Sequence, residues 1–115
     1  MNILITGNMG YVGSQLVKHL KLINKNFKLY GYDTAYFGNN CINSDNLPEV
    51  NLDTQFYGDI RKINKNFLKK IDTVIHLSAI SNDPMGKSFS KQTKSINLNS
   101  SINLDKIASK IGVKH

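Results

Sequence analysis

Residues 5 to 16, ITGNMGYVGSQL, restrict this chain more than any other stretch. Gly7, Gly10 and Gly13 stand three residues apart, directly after the apolar run Ile3-Leu4-Ile5. A short apolar run ended by glycine reads as a buried strand over Asn2 to Thr6. Val12, Leu16, Val17, Leu20 and Ile23 then make one apolar stripe, which predicts a helix from Tyr11 to about Asn24. A strand that runs through a glycine turn into a helix is built to hold phosphate. The helix N-terminus carries unpaired N–H groups and partial positive charge, and small residues let an anion reach them. In this reading Gly7 makes the turn, Gly10 admits the phosphates, and Gly13 lets the helix press on the sheet.

The rest of the chain alternates in the same way. Phe27 to Tyr32 reads as a second strand ending at Asp33, and Thr54 to Tyr57 as a third, closed by Gly58-Asp59. A modest helix is expected over Ile60 to Lys69, with Ile63 and Phe67 facing inward. Thr73 to Leu77 reads as the fourth strand, and Ser81 to Gly86, with Asp83-Pro84, as a turn. A long helix follows from about Phe89 to Ile111, irregular near its start. Ile96, Leu104, Ile107, Ala108 and Ile111 face inward, and Gly112 stops it. This alternation implies an α/β fold: a doubly wound parallel sheet of Rossmann type, with about four strands. The fold is expected to be incomplete, because a fifth strand should begin where the sequence reaches His115. Between Thr34 and about Asp53 no period holds; such a loop is expected to fold over a ligand or meet a neighbouring subunit. The pentapeptide INKNF occurs at 23 to 27 and at 63 to 67, too short to be a structural repeat.

Size and charge set the outer bounds. A chain of 115 residues is one domain at most. The formal net charge of +7 comes from lysines scattered over the polar faces of expected helices. Solvated helix faces explain them better than a nucleic-acid surface. One cysteine, Cys41, excludes an intrachain disulfide and multi-cysteine metal sites, and the three histidines lack ligand spacing, so no metal is expected. No apolar stretch approaches the roughly 20 residues needed to span a bilayer. The N-terminus lacks the pattern of a secretory signal. The expected setting is the cytoplasm.

Asp33 lies 20 residues after Gly13, at the end of the second strand. A carboxylate there is placed to accept hydrogen bonds from an adenosine ribose, and it would repel a 2′-phosphate. NAD is therefore favoured over NADP. From the residues alone, Asp59 is either a ligand contact at the sheet edge or a cap for the helix that follows. His76, with no carboxylate partner in view, reads as a buried, hydrogen-bonded histidine. Ser78 and Ala79 are small enough to let a ligand approach.

Together these motifs resemble the extended short-chain dehydrogenase/reductases, in the NAD-dependent epimerase/dehydratase group acting on nucleotide sugars. ITGNMGYVGSQL resembles the family's TGxxGxxG turn, and YGDIR at 57 to 61 its Gly-Asp-Ile/Leu-Arg segment. VIHLSA at 74 to 79 is similar to V-x-H-L-A-A, with Ser78 for the first alanine. INLNSSINL at 96 to 104 resembles the Asn-Val-x-Gly-Thr helix, with Ser100 and Ser101 where Gly-Thr is usual. SNDPMG at 81 to 86 also resembles a subgroup of these enzymes. The resemblance implies an NAD site holding Tyr11, Val12, Asp59, Ile60, Leu77, Ser78, Ala79, Ser81 and Asn97 beside Gly7, Gly10, Gly13 and Asp33. It further implies a nucleotide-sugar substrate held by a part that these residues do not contain. The family's Tyr-x-x-x-Lys is absent: none of the five tyrosines has lysine four residues on, and Tyr57 has Arg61 there. No catalytic residue is therefore assigned. An NAD-binding module without catalysis is the alternative. Strand four is expected at the sheet edge, where unpaired ladder groups favour self-association or a homo-oligomer.

Overall fold

A computed structural model describes residues 1–36, 51–81 and 83–115, with the side chains of 83, 85 and 86 excepted. The central part of the loop expected at 34 to 53 lies outside the described residues.

Four parallel strands form one sheet: β1 (Asn2–Thr6), β2 (Lys28–Asp33), β3 (Thr54–Tyr57) and β4 (Thr73–His76). Their order is β3-β2-β1-β4. The chain therefore reverses its direction of travel across the sheet between β1 and β4, with Thr6 beside His76. A crevice opens at the carboxyl ends of the strands at such a switch.

Strand alternation sends β1 side chains to both faces. Ile3 and Ile5 pack with Leu29 and with Val17 of α1 (Tyr11–Ile23). Leu4 packs on the other face with Tyr32, Ile60, Ile63, Leu68 and Leu104. All these side chains are buried, each fully buried aliphatic one contributing about 2 kcal/mol of apolar burial. The stripe of α1 differs from the one read in sequence. Gly13 and Val17 are its buried residues, with Leu16 and Leu20 partly buried beside them, while Val12 and Ile23 are exposed. The spacing from Gly13 is i, i+3, i+4, i+7; a glycine carries no hydropathy and so is invisible to the pattern.

The helix expected over Ile60 to Lys69 is two pieces, a 3-10 turn (Ile60–Lys62) and α2 (Lys65–Leu68). Asn64 divides them: its side-chain oxygen accepts from Asn66 N–H at 3.0 Å, which caps α2. The other copy of INKNF does the same, Asn24 accepting from Asn26 N–H at 2.9 Å. In both copies the phenylalanine N–H returns to the asparagine carbonyl, at 3.1 and 3.2 Å. One local turn thus opens a strand in the first place and a helix in the second, because the flanking packing differs. Phe67 stacks edge-on against Tyr32 and Phe56, with centroids 5.3 and 4.2 Å apart.

Ser81 to Gly86, expected as a turn, contains the start of α3 (Asp83–Ser88). Pro84 sits in the first turn, where a missing N–H costs nothing. The long last helix comes in three segments: α4 (Ser90–Lys94), a π turn (Ser95–Asn99) and α5 (Ser100–Ile111). Its inward residues are the ones read from sequence: Leu104 is buried, and Ile96, Ile107, Ala108 and Ile111 pack on the same cluster. Gly112 ends it at φ +89° in the left-handed region. β4 is the last strand on its side, as expected. The edge is partly covered all the same: Lys114 N–H donates to the Asp72 carbonyl at 3.1 Å, and Val74 N–H to the His115 carbonyl at 2.8 Å.

Candidate functional site

The glycine turn leaves β1 and wraps the N-terminus of α1. Gly7 has φ +72°, and a Cβ built there would lie 2.7 Å from the backbone of Leu77 and Ser78. Only glycine allows this turn with β4 pressed against it. Gly13 meets a different constraint: its Cβ would lie 2.4 Å from the Gly7 carbonyl oxygen and 2.6 Å from Asn8 Cα. The helix thus presses on the turn itself. Gly10 is the N-cap, with no side-chain cap bond and no acidic residue in the first turn. The first helical bond runs from Ser14 N–H to the Gly10 carbonyl at 3.1 Å. The N–H groups of Tyr11, Val12 and Gly13 precede it and have no acceptor within the helix. This backbone cradle fits a pyrophosphate.

Asp33 ends β2 facing the turn. One carboxylate oxygen accepts from Met9 N–H at 3.0 Å and the other from Ala35 N–H at 2.9 Å. Ala35 holds φ +59°, a conformation uncommon without glycine, within the turn that Asp33 closes. Two bonds leave lone pairs free, since a carboxylate accepts about four. Asp33 therefore both braces the turn and keeps acceptor capacity for ribose hydroxyls.

A cavity of about 410 Å³ runs along the carboxyl edge of the sheet. Of the residues assigned to the site from sequence, Gly7, Gly10, Asp33, Asp59, Ile60, Leu77, Ser78 and Ala79 line it. Met9, Thr34, Tyr36, Arg61, Ile80, Phe89 and Ile96 line it too, beyond what the sequence indicates. Most of them follow a strand or occupy a helix start, so topology, not residue type, is the signal that could find them. Tyr11, Val12, Gly13, Ser81 and Asn97 do not line it. Tyr11 and Val12 are 76% and 60% exposed on the first turn of α1, so only their backbone N–H groups, unpaired within the helix, are candidates for a ligand there.

Asp59 does what its simpler reading requires. Its carboxylate accepts from Arg61 N–H at 2.9 Å, capping the 3-10 turn. The Arg61 guanidinium clasps both oxygens, and that hydrogen bond chiefly holds the Asp59 carboxyl below the usual range. Ile60 is buried in the core, so only its backbone is available to a ligand.

Asn97 lies in the π turn, where Ser100 N–H reaches back five residues to the Ser95 carbonyl. The Asn97 side chain accepts from Ile80 N–H and donates to the Ile80 carbonyl, both at 2.8 Å. Each end of the amide thereby makes one bond to the loop after β4. Asn97 shapes the cavity by holding Ile80 in its wall. His76 is a partly buried, hydrogen-bonded histidine, as read from sequence, between Thr6 and Ser101. Its pKa is lowered by burial. Asn8, inside the turn, is fully buried and donates to Gln55 Oε1 at 2.6 Å across Gly31, where a Cβ would displace both amides.

Among the described residues no group of His, Cys, Asp or Glu is placed to hold a metal ion. No helix among them is long and apolar enough to cross a membrane.

Solved structures share this fold. A UDP-N-acetylglucosamine 4-epimerase from Methanobrevibacter ruminantium M1, in complex with UDP-N-acetylmuramic acid, superposes with TM-score 0.80 at 25% identity, covering 98% of this chain and 35% of that one. A UDP-glucose 4-epimerase from Thermotoga maritima, with UDP-glucose, gives 0.77 at 26% identity, covering 99% and 36%. An L-threonine dehydrogenase from Clostridium difficile gives 0.72 at 26% identity, covering 98% and 34%. The chain spans about a third of the length of these proteins. The model of the NAD dependent epimerase/dehydratase family matches residues 3–115. A cradle for pyrophosphate, a carboxylate at the end of β2 and a family match over nearly every residue agree, and the chain belongs to the NAD dependent epimerase/dehydratase family, whose cofactor is NAD.

Proposed function

We propose that these residues are the NAD-binding portion of an enzyme acting on a nucleotide sugar, by epimerisation or dehydration. The observation that carries this is the glycine turn braced by Asp33 through Met9 N–H, over a cavity at the switch point. The first-turn N–H groups of Tyr11, Val12 and Gly13 would hold the pyrophosphate, and Asp33 the adenosine ribose. Asp59 and Ile60 stand where the adenine would lie, Asp59 kept ionised by Arg61. Leu77, Ser78 and Ala79, with Ile80 fixed by Asn97, would floor the remainder; Ser81 follows directly. NAD supplies hydride transfer to and from the sugar. The chain's own work is to bind, orient and exclude water. The substrate-binding part and the acid–base pair would lie in the roughly two thirds of the relatives' length that the chain does not span. The sugar is supported by the two epimerases, and the threonine dehydrogenase marks that this portion of the fold also serves another substrate. The expected setting is the cytoplasm, with neither nucleic acid nor membrane as partner.

A second reading is an NAD-binding module without catalysis; within these residues no tyrosine has lysine four residues on. Titration calorimetry is expected to detect NAD, with NADP at least about tenfold weaker because Asp33 opposes a 2′-phosphate. Added UDP-glucose or UDP-N-acetylglucosamine should produce no absorbance at the NADH wavelength from this chain alone. Undetectable NAD affinity overturns both readings; reduction of NAD by this chain overturns the assignment of the acid–base pair elsewhere. Self-association along the outer side of β4 is expected as well. Light scattering at high concentration that finds a monodisperse monomer overturns it.

A further inference from the structure

His76 does not line the cavity, yet both of its hydrogen bonds lead to residues that shape it. Its Nδ1 lies 2.6 Å from Thr6 Oγ1 and its Nε2 2.9 Å from Ser101 Oγ. The partners fix the direction of each bond. Ser101 Oγ donates its one proton to the Asn97 carbonyl at 2.8 Å, so it accepts from His76, and Nε2 carries the hydrogen. Thr6 Oγ1 faces the N–H groups of Leu77 and Ser78 at 3.3 and 3.5 Å, which can only donate. Its own proton therefore goes to His76 Nδ1. The imidazole is neutral, and its tautomer is set from both sides.

Each side continues to the cavity. Thr6 immediately precedes Gly7, and Leu77 and Ser78 are in the wall. On the other side Ser101 holds the carbonyl of Asn97, whose side chain holds both backbone groups of Ile80. The ring of bonds thus joins the end of β1, the end of β4 and the π turn around one end of the site. A second proton on His76 would make both nitrogens donors. Thr6 Oγ1 would then have to turn its own proton away and accept from Nδ1–H, and with two lone pairs for three donors it would loosen its hold on the Leu77 and Ser78 N–H groups.

We infer that His76 is a positioning residue for the NAD site: as the neutral Nε2–H tautomer it locks Thr6 to the π turn, and protonation releases that lock. The inference rests on the reading of this cavity as the NAD site. The other groups around the imidazole do not replace the lock. Thr6 on β1 and Ser101 on α5 are uncharged. The titratable and charged groups that line the shallow cavity beside it are Asp105 on α5, and Lys114 and His115 after it. Burial lowers the His76 pKa from 6.5, so the neutral form persists through neutral pH. NAD affinity should be level above about pH 6.5 and fall as pH drops further.

The test is NAD titration calorimetry from pH 8 to 5.5 on the full chain and on His76→Gln, with circular dichroism at each pH to confirm folding. Nitrogen-15 NMR of the wild-type imidazole, with and without NAD, runs alongside. The expected result is wild-type affinity that falls as pH drops through the His76 midpoint, by less than about tenfold at pH 5.5 because that midpoint lies below 6.5, against weaker but level binding by the variant. The NMR should give a protonated Nε2, an unprotonated Nδ1, and a titration midpoint that moves lower when NAD is bound. That midpoint needs no variant, so it decides the matter even where His76→Gln fails to fold. Wild-type affinity that stays level through the midpoint the NMR measures, an Nδ1–H tautomer, or a midpoint unmoved by NAD overturns the role of His76 and leaves NAD binding standing. Absence of NAD binding at every pH overturns the reading of the site itself.

Discussion

Gly7→Ala is expected to unfold this chain or cost it about 3–5 kcal/mol in a urea titration, while Gly10→Ala leaves stability within about 1 kcal/mol. The two glycines are three residues apart in one turn, yet they answer to different constraints. Gly7 sits at φ +72°, where an L-residue pays about 1–2 kcal/mol. An added Cβ would also lie 2.7 Å from the Leu77 carbonyl carbon and from Ser78 N, and 2.8 Å from Leu77 O. These are backbone atoms. Relief requires β1 and β4 to part where Leu77 N–H bonds the Thr6 carbonyl at 3.0 Å. Gly10 has φ −81°, open to any residue, and its Cβ would meet only the Gly7 oxygen at 3.2 Å. Its methyl group would instead stand on the cavity wall. NAD affinity should fall in Gly10→Ala although the fold survives. Equal stability loss in both variants would refute this division of labour.

That division is only partly legible in the sequence. The spacing of the three glycines, the strand before them and the helix after them identify the cradle, because each is a local pattern. Asp33 is legible for the same reason, lying at a strand end that hydrophobic runs locate. The packing partner of Gly13 is not legible: it presses on Gly7 and Asn8 of the turn. Nothing in hydropathy marks a glycine as part of an inward stripe.

What stays hidden depends on contacts between residues far apart in the chain. His76 reads as hydrogen-bonded, but its partners are 70 and 25 residues away, and no period links them. Asn97 is assigned to the NAD site by its motif. Its amide bonds both backbone groups of Ile80, 17 residues away, from within the π turn. Asp83-Pro84 suggests a turn because proline breaks helix interiors; in a first turn that objection disappears. Asp59 stands open in the sequence between cap and ligand contact. The cap is present, and the clasp of Arg61 leaves the carboxylate ionised at the cavity wall.

Asp33→Asn should be far from conservative. In the wild type both carboxylate oxygens accept backbone N–H groups, from Met9 at 3.0 Å and from Ala35 at 2.9 Å. An amide has one acceptor oxygen. Whichever way the substituted side chain were turned, its NH₂ would face an N–H, leaving a donor against a donor. Losing one such bond to a charged acceptor costs about 1.5–3 kcal/mol. The loss falls on the brace that holds Met9, next to Gly10, or on the turn that keeps Ala35 at φ +59°. NAD binding should therefore weaken by about 10- to 100-fold, from a displaced turn and a lost ribose acceptor together. Discrimination against NADP should shrink in the same variant, since the charge opposing a 2′-phosphate is gone. Calorimetric titrations with both cofactors measure the two effects separately. A variant that binds NAD as the wild type does would remove Asp33 from the site. One that binds NAD weakly yet keeps the wild-type preference over NADP would leave Asp33 as a brace for the turn, with selectivity set elsewhere in the cavity.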